Sequence, residues 1–432
     1  MTYTILHGNN LDILPTLPDN SVDSIITDPP YELGFMGKKW DSSGIAYSVE
    51  LWTECFRVLK SGGHLLSFGG TRTFHRMAVA IEDAGFEIRD NIAWLYGSGF
   101  PKSLDVSKAI DKAAGVEREV VGTKTASPKG IKNAEERTDT AAGAYGGVTK
   151  EIDITAPATD EAEQWEGWGT ALKPAHEPII VARKPLIGTV AHNVLTHGTG
   201  ALNIDGSRIG TEVRKNNVND FSNQHGNQFG NGKPIIKTGE SEVTGRWPAN
   251  IILDEHTAGL LDEQSGQVKG GTWNNTAGAR HFNNDGKPTD YETKGSDKSI
   301  GGASRFFYVA KASKRDRNEG LEGLEAVQTL FAKGTNLSKN GDGTPRNMVA
   351  TALNFHPTVK PTALMEYLVK LVTPPNGTVL DPFTGSGSTG KAAILNGFDF
   401  IGIEMTEDYL PIIQGRLEHA KSTYESQLPI DL

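Results

Sequence analysis

Residues 378–404 read TVLDPFTGSGSTGKAAILNGFDFIGIE, and the reading of the fold starts from them. Thr378–Asp381 is short, apolar and β-branched, which favours an extended strand. Gly385 and Gly387 follow, in a turn where the backbone must bend and let a ligand approach. Ser388–Leu395 has helical spacing, and Phe398–Glu404 is a second strand that ends on an acid. Strand, glycine turn, helix, strand and terminal acid form half of a doubly wound sheet. An acid there suits the two hydroxyls of a ribose, so the segment predicts an adenosine-containing cofactor. A P-loop is excluded, because no Gly-Lys-Ser/Thr follows the turn. A dinucleotide is an alternative, but Pro382-Phe383 before the first glycine would crowd a pyrophosphate and suits an adenosine edge or a methionine chain.

The same alternation occupies the first part of the chain. Val22–Thr27 reads as a strand, Val49–Lys60 as a helix, His64–Phe68 as a buried strand, Thr71–Ala84 as a helix and Phe86–Tyr96 as a strand. Ile179–Ala182 is a further strand, Thr362–Thr373 a helix, and Thr406–Ala420 a closing helix. The fold class expected is α/β, with a doubly wound, mostly parallel sheet built from both ends of the chain. Between them the sequence is irregular. Residues 115–168 are rich in Gly, Thr, Ala and charge, and 188–348 in Gly, Asn and Asp, with short apolar pieces such as Trp247–Leu253 and Phe306–Ala310 and no long amphipathic helix. Loops of that length are usually functional or disordered. The expected division is therefore 1–187 (one half of the α/β domain), 188–348 (an insertion) and 349–432 (the cofactor half).

Bulk properties narrow the class. The chain has 432 residues, a formal charge of −10 and a single cysteine, Cys55, so neither an intramolecular disulfide nor a thiolate metal cluster is expected. No apolar run approaches a membrane span, and the start lacks a signal-peptide pattern. A soluble protein of a reducing, cytoplasmic compartment is expected, with no membrane partner and no metal. The net charge speaks mildly against nucleic acid, but Arg305, Lys311, Lys314, Arg315 and Arg317 cluster against one acid, Asp316, which leaves room for a local basic face.

A second stretch carries chemistry. Residues 24–31 read SIITDPPY. Two prolines in series cannot continue a central strand, so the strand ends at Asp28. A carboxylate, the carbonyls of Pro29 and Pro30, and the ring of Tyr31 are then presented together at a strand's carboxyl end, a combination suited to holding something planar and polar.

SIITDPPY, LDPFTGSGSTG, IGIE and His356-Pro357-Thr358-Val359-Lys360-Pro361 together resemble the DNA amino-methyltransferases that use S-adenosyl-L-methionine. Their order, with DPPY first and the glycine motif last, is similar to the permuted β group of that family. The resemblance covers about Thr4–Lys184 and Phe355–Ala420 and implies a Rossmann-like methyltransferase fold, double-stranded DNA as partner, often a homodimer, and 188–348 as a target-recognition region. It implies that Asp28 and the Pro29 carbonyl accept the two hydrogens of an exocyclic base amine, with Pro30 shaping the corner and Tyr31 stacking on a flipped base. Asp381, Pro382, Phe383, Gly385, Ser386 and Gly387 would line the cofactor, and Glu404 would take its ribose. Thr358 and Lys360 would lie near its methionine end, with Lys360 meeting the carboxylate. Many relatives carry Gly-Asp near the amino terminus, where this chain has Gly8-Asn9; Asn9 is the expected adenine contact and Asp12 the fallback. Gly34–Trp40 reads as a mobile flap. Arg208, Arg214, Lys215, Arg246 and Arg280 are the candidate DNA contacts.

The resemblance, with an aspartate heading DPPY, points to adenine N6 as the methyl acceptor; cytosine N4 is the alternative. A protein glutamine methyltransferase, which also uses a Pro-Pro-Tyr corner, and a binding protein without turnover are the readings from other classes. No nuclease-like constellation accompanies the motifs, so a modification enzyme without a fused restriction activity is expected.

Overall fold

The structure, a computed structural model, describes residues 1–33, 42–97, 99, 103–126, 150–217, 240–269, 272–274, 281–282, 288–289, 294–296, 300–311, 315–329 and 350–427. The expected flap, Lys314 and Arg280 lie outside them.

Nine strands form the main sheet: β1 (Tyr3–His7), β2 (Val22–Thr27), β3 (Leu59–Phe68), β4 (Glu87–Leu95), β5 (His176–Arg183), β6 (Ile251–Asp254), β7 (Tyr308–Ala310), β8 (Thr378–Asp381) and β9 (Asp399–Glu404). Their order is β1-β9-β8-β2-β3-β5-β4-β6-β7. Every pairing is parallel except the two made by β5, which runs antiparallel to β3 and β4. Successive side chains of a strand point to opposite faces. Ile26, Leu66, Val379 and Phe400 accordingly pack on one face, under α4 (Thr362–Val372), α5 (Ser388–Leu395) and α6 (Leu410–Gln427). Ile25, Leu65, Leu380 and Ile403 pack on the other, under α1 (Val49–Val58) and α2 (Phe74–Asp83). Burial on both faces is why these strands read as continuous apolar runs.

Several elements differ from expectation. The helix from Val49 stops at Val58, capped at its start by the Ser48 hydroxyl, and Leu59 already belongs to β3. The helix expected from Thr71 starts at Phe74, because Thr73 closes a turn with Gly70. The segment 188–348 contains an eleven-residue helix, α3 (Glu255–Ser265), capped by Asp254. It also supplies β6 and β7 to the main sheet, so the expected insertion is partly built into the fold. Its hairpin Ile209–Asn217/Glu240–Arg246 departs after β5 and returns before β6, both at the amino edge of the parallel strands. The expected basic face is spent internally in part: Arg305 donates to the carbonyls of Gly301 and Gly302, and Arg317 to those of Asn354 and His356.

Contacts divide the described chain into two units, Met1–Gly97 with Ala175–Leu432, and Ser98–Pro174. The smaller unit holds a helix (Val106–Ala114), a hairpin (Val120–Ala126 with Lys150–Thr155) and a short helix (Asp160–Gln164). Within it, Asp111 accepts from the Thr159 hydroxyl at 2.8 Å and pairs with Arg118 at 3.1 Å. Among the described residues no helix is long and apolar enough to cross a membrane, and no cluster of His, Cys, Asp and Glu could hold a metal ion.

Candidate active site

The two motifs farthest apart in sequence meet because β2 and β8 are parallel neighbours. Ser24 pairs with Val379 and Ile25 with Leu380, so both strands end at the same edge. There the Thr27 hydroxyl donates to Asp381 Oδ1 at 2.7 Å and joins the two corners directly. On the other side of β8, Asp381 pairs with Gly402, which brings Glu404 to the same edge. β1 follows, with His7 opposite Glu404 and Asn9 just beyond.

The glycine turn is built for close approach. Gly385 has φ +57°, and a Cβ there would meet the His356 ring at 3.0 Å. Gly387, at φ +76°, opens α5. Glu404 is buried, and burial pushes its carboxyl up; Oε2 accepts from the Gly385 amide and Oε1 from the Thr406 amide, both at 2.8 Å. Asp381 is 2% exposed and is pushed up to about 6 by burial; Oδ1 also accepts from the Phe383 amide at 3.0 Å. Asp381 therefore braces the turn from inside. Phe383 packs at the margin of the core. Ser386 is held from behind: Arg416 Nη1 donates to its carbonyl at 2.6 Å and to its hydroxyl at 3.0 Å. Arg416 is fully buried, and burial lowers it to about 10. Asp316, beside it, accepts from Lys391 at 2.7 Å and from the Thr362 amide and hydroxyl, tying α4 to α5.

Asp28 belongs to a cluster of four polar side chains, with Tyr31, Glu177 and Lys360. Lys360 Nζ donates to Asp28 Oδ2 at 2.7 Å and to the Tyr31 hydroxyl at 3.1 Å, and stands 3.3 Å from Glu177 Oε2. The Tyr31 hydroxyl donates to Glu177 Oε2 at 2.8 Å. Burial would lower Lys360, but Asp28 and Glu177 outweigh it and push the ammonium up to about 12. Burial, with both carboxylates beside it, raises the Tyr31 phenol well above its ordinary value. Asp28 Oδ1 is buried and has no hydrogen-bond partner among the described residues. Such an atom costs free energy unless a donor arrives. Beside the cluster, Pro30, Tyr31, Tyr47, Gly70 and Phe74 line a small pocket.

Asp28, Pro29, Pro30, Tyr31 and Lys360 thus come together, as do Asp381–Gly387 and Glu404. Lys360 is engaged with Asp28 and Glu177, the two acids that flank it. Thr358 is exposed, and its amide donates to His356 Nδ1 at 3.4 Å. Asn9 is exposed and caps the Leu11 amide, and Asp12 is exposed. It is Asn10 that is buried and reaches the Pro382 carbonyl, at 3.4 Å. Sequence reasoning missed Asn10, Glu177 and the Asp316–Arg416 brace. Only the placing of Asp316 among five cations hinted at a charge with an internal partner.

The site and sheet define the class: a doubly wound α/β protein with a glycine turn and a buried strand-end acid at the carboxyl edge, joined to an acid–proline–proline–aromatic corner. A family model described as DNA methylase, for N6 and N4 amino-methyltransferases, matches residues 22–415, and the chain belongs to that family. The type II methyltransferase M.ScaI of Streptomyces caespitosus is 48% identical over 63 residues, 15% of this chain and 21% of that protein. The DNA adenine methyltransferase YhdJ of Escherichia coli is 45% identical over 65 residues, 15% of this chain and 22% of that protein. The chain thus spans about a fifth of the length of these relatives. Among solved structures, the cytosine-N4-specific PvuII DNA methyltransferase covers 98% of this chain and 92% of its own at 12% identity, with a TM-score of 0.42.

Proposed function

We propose that this chain transfers a methyl group from S-adenosyl-L-methionine to the N6 amine of adenine in double-stranded DNA. The observation that carries the reading is the partnerless, buried Asp28 Oδ1 at the edge shared with the glycine turn. An exocyclic amine is a weak nucleophile because its lone pair is delocalised into the ring. Asp28 Oδ1 accepts one amine hydrogen and the Pro29 carbonyl the other, which draws the nitrogen toward a tetrahedral geometry and frees the lone pair. Preorganised acceptors of this kind supply most of the catalysis by position and electrostatics.

The chain's residues fit the cofactor. The turn at Gly385 and Gly387 holds both glycines at positive φ, packed against His356 and Ile413, and Glu404 at the strand end suits ribose hydroxyls. When bound, S-adenosylmethionine supplies an electrophilic methyl group. The target nitrogen is hidden in duplex DNA, so the base must leave the stack, at a cost of a few kcal/mol. Stacking on Tyr31 at the lined pocket offsets about 1–3 kcal/mol of that.

An aspartate at the head of the corner supports adenine, as does the local identity with YhdJ. Cytosine N4 is the alternative. Digestion of DNA to nucleosides after incubation with labelled cofactor decides: N6-methyladenine is expected, and N4-methylcytosine alone would overturn the choice of base. Label in protein glutamine but not in DNA would overturn the substrate class. We further propose that DNA contacts this carboxyl edge, and that the chain's contribution to target choice comes from segments that reach it.

A further inference from the structure

We infer that Glu177 is a positioning residue for methyl transfer, holding Lys360 so that Asp28 keeps one oxygen open for the target amine. The inference rests on the function proposed above. Glu177 belongs to none of the motifs. It reaches the site because β5 alone runs antiparallel, which puts the strand's beginning, rather than its end, at the carboxyl edge.

The argument is a count of donors. An ammonium has three N–H bonds. Lys360 has three acceptors within reach: Asp28 Oδ2 at 2.7 Å, the Tyr31 hydroxyl oxygen at 3.1 Å and Glu177 Oε2 at 3.3 Å. With all three engaged, none remains for Asp28 Oδ1, which is buried and partnerless. Glu177 also receives the Tyr31 hydroxyl proton at 2.8 Å, which leaves the phenol oxygen facing Lys360 as an acceptor. Remove the Glu177 charge and Lys360 is attracted by Asp28 alone. It then swings across both carboxylate oxygens and occupies the place of the amine. Two carboxylates against one ammonium also leave the cluster negative, which suits a nitrogen that gains positive charge as it is methylated.

The test compares wild type, Glu177→Gln, Glu177→Asp, Lys360→Met and the Gln/Met double variant. Each is assayed for single-turnover transfer to DNA, for S-adenosylmethionine affinity by equilibrium dialysis, and for melting. Glu177→Gln is expected to slow transfer about 10- to 100-fold, as a displaced acceptor does, with cofactor affinity within about 2-fold. Glu177→Asp keeps the charge and is expected to lose only about 3- to 10-fold. Because Glu177 acts through Lys360, the double variant is expected to be no slower than Lys360→Met alone. Wild-type transfer in Glu177→Gln, a loss confined to cofactor affinity, or additive losses in the double variant would overturn the inference. Should Glu177→Gln fail to fold, Glu177→Asp decides: slowed transfer with intact cofactor affinity supports it, and a wild-type rate overturns it. Wild-type protein that binds cofactor but methylates no DNA would instead remove the functional reading beneath it.

Discussion

The two edges of the main sheet use positive charge in opposite ways. At the carboxyl edge, Lys360 is buried between the carboxylates of Asp28 and Glu177 and leaves one oxygen of Asp28 open. At the amino edge, Arg208 lies over the ring of Trp247, which is 65% exposed, and pairs with Asp205 at 2.7 Å. Nearby, Arg246 and Arg305 both lie over Phe306, with Arg246 paired to Glu212 at 2.9 Å. The chemistry differs because the partners differ: Arg208 and Arg246 are about as buried as Lys360, at 11% and 6% against 9% side-chain exposure, but each is matched by a carboxylate and an aromatic ring. A charge removed from water must be matched by fixed partners, and a mismatch there is a site. At the amino edge the charges are matched, and each ring contact adds about 0.5–1 kcal/mol of packing.

The largest effect that would break this contrast is at Asp28. Asp28→Ala is expected to slow transfer at least about 100-fold, the usual cost of losing a preorganised partner of the reacting group. Cofactor affinity, measured in parallel by dialysis, should persist. A smaller effect is expected behind the turn. Arg416→Met removes one member of a buried ion network and should cost about 3 kcal/mol of stability in urea denaturation, because Asp316 keeps Lys391. Glu404→Ala deletes the acceptor of two backbone amides and the proposed ribose partner. It is expected to weaken S-adenosylmethionine binding about 10- to 100-fold, in line with charge-assisted hydrogen bonds, with no loss of DNA binding.

Acid should act through buried histidines. Burial first, with Arg183 and Arg89 nearby, lowers His64 to about 4, and burial lowers His356 to about 3. Unfolded histidine titrates near about 6.5. A lowered folded value means that the stability from keeping these rings neutral is complete above about pH 6.5 and is lost as pH falls toward 4. Urea midpoints at pH 7 and pH 5 should separate in wild type, and His64→Leu should narrow the gap. The smallest effect is at the amino edge. Arg208→Ala is expected to change DNA affinity less than about 3-fold at fixed salt, measured by titration of labelled duplex. A loss of a hundredfold would make that edge the DNA face and reverse the comparison.

What was legible in the sequence follows the same division. Strands β2 and β8 and helix α5 end where expected, because two-sided burial makes a continuous apolar run and glycine or proline marks its close. Strand direction is not written locally: HEPIIVAR reads the same whether β5 runs up or down the sheet, and so Glu177 stayed hidden. The three and four residues of β7 and β6 are too few to show a period. Asn9 and Asn10 are adjacent and alike in sequence. Only the pairing of β1 with β9 decides which of them turns inward to Pro382. Lys360 was found, but its partners lie 332 and 183 residues away and come from tertiary packing alone.

The central claim is that cofactor and target amine meet at the carboxyl edge, between Asp28 and the glycine turn. Ultraviolet irradiation of the protein with methyl-labelled S-adenosylmethionine, followed by peptide mapping, tests it most directly. Label on the peptides containing Pro29–Tyr31, Asp381–Ser388 or Glu404–Tyr409, displaced by excess unlabelled cofactor, is the predicted result. Displaceable label on the amino-edge peptides around Arg208 or Trp247, with none at the carboxyl edge, would contradict it.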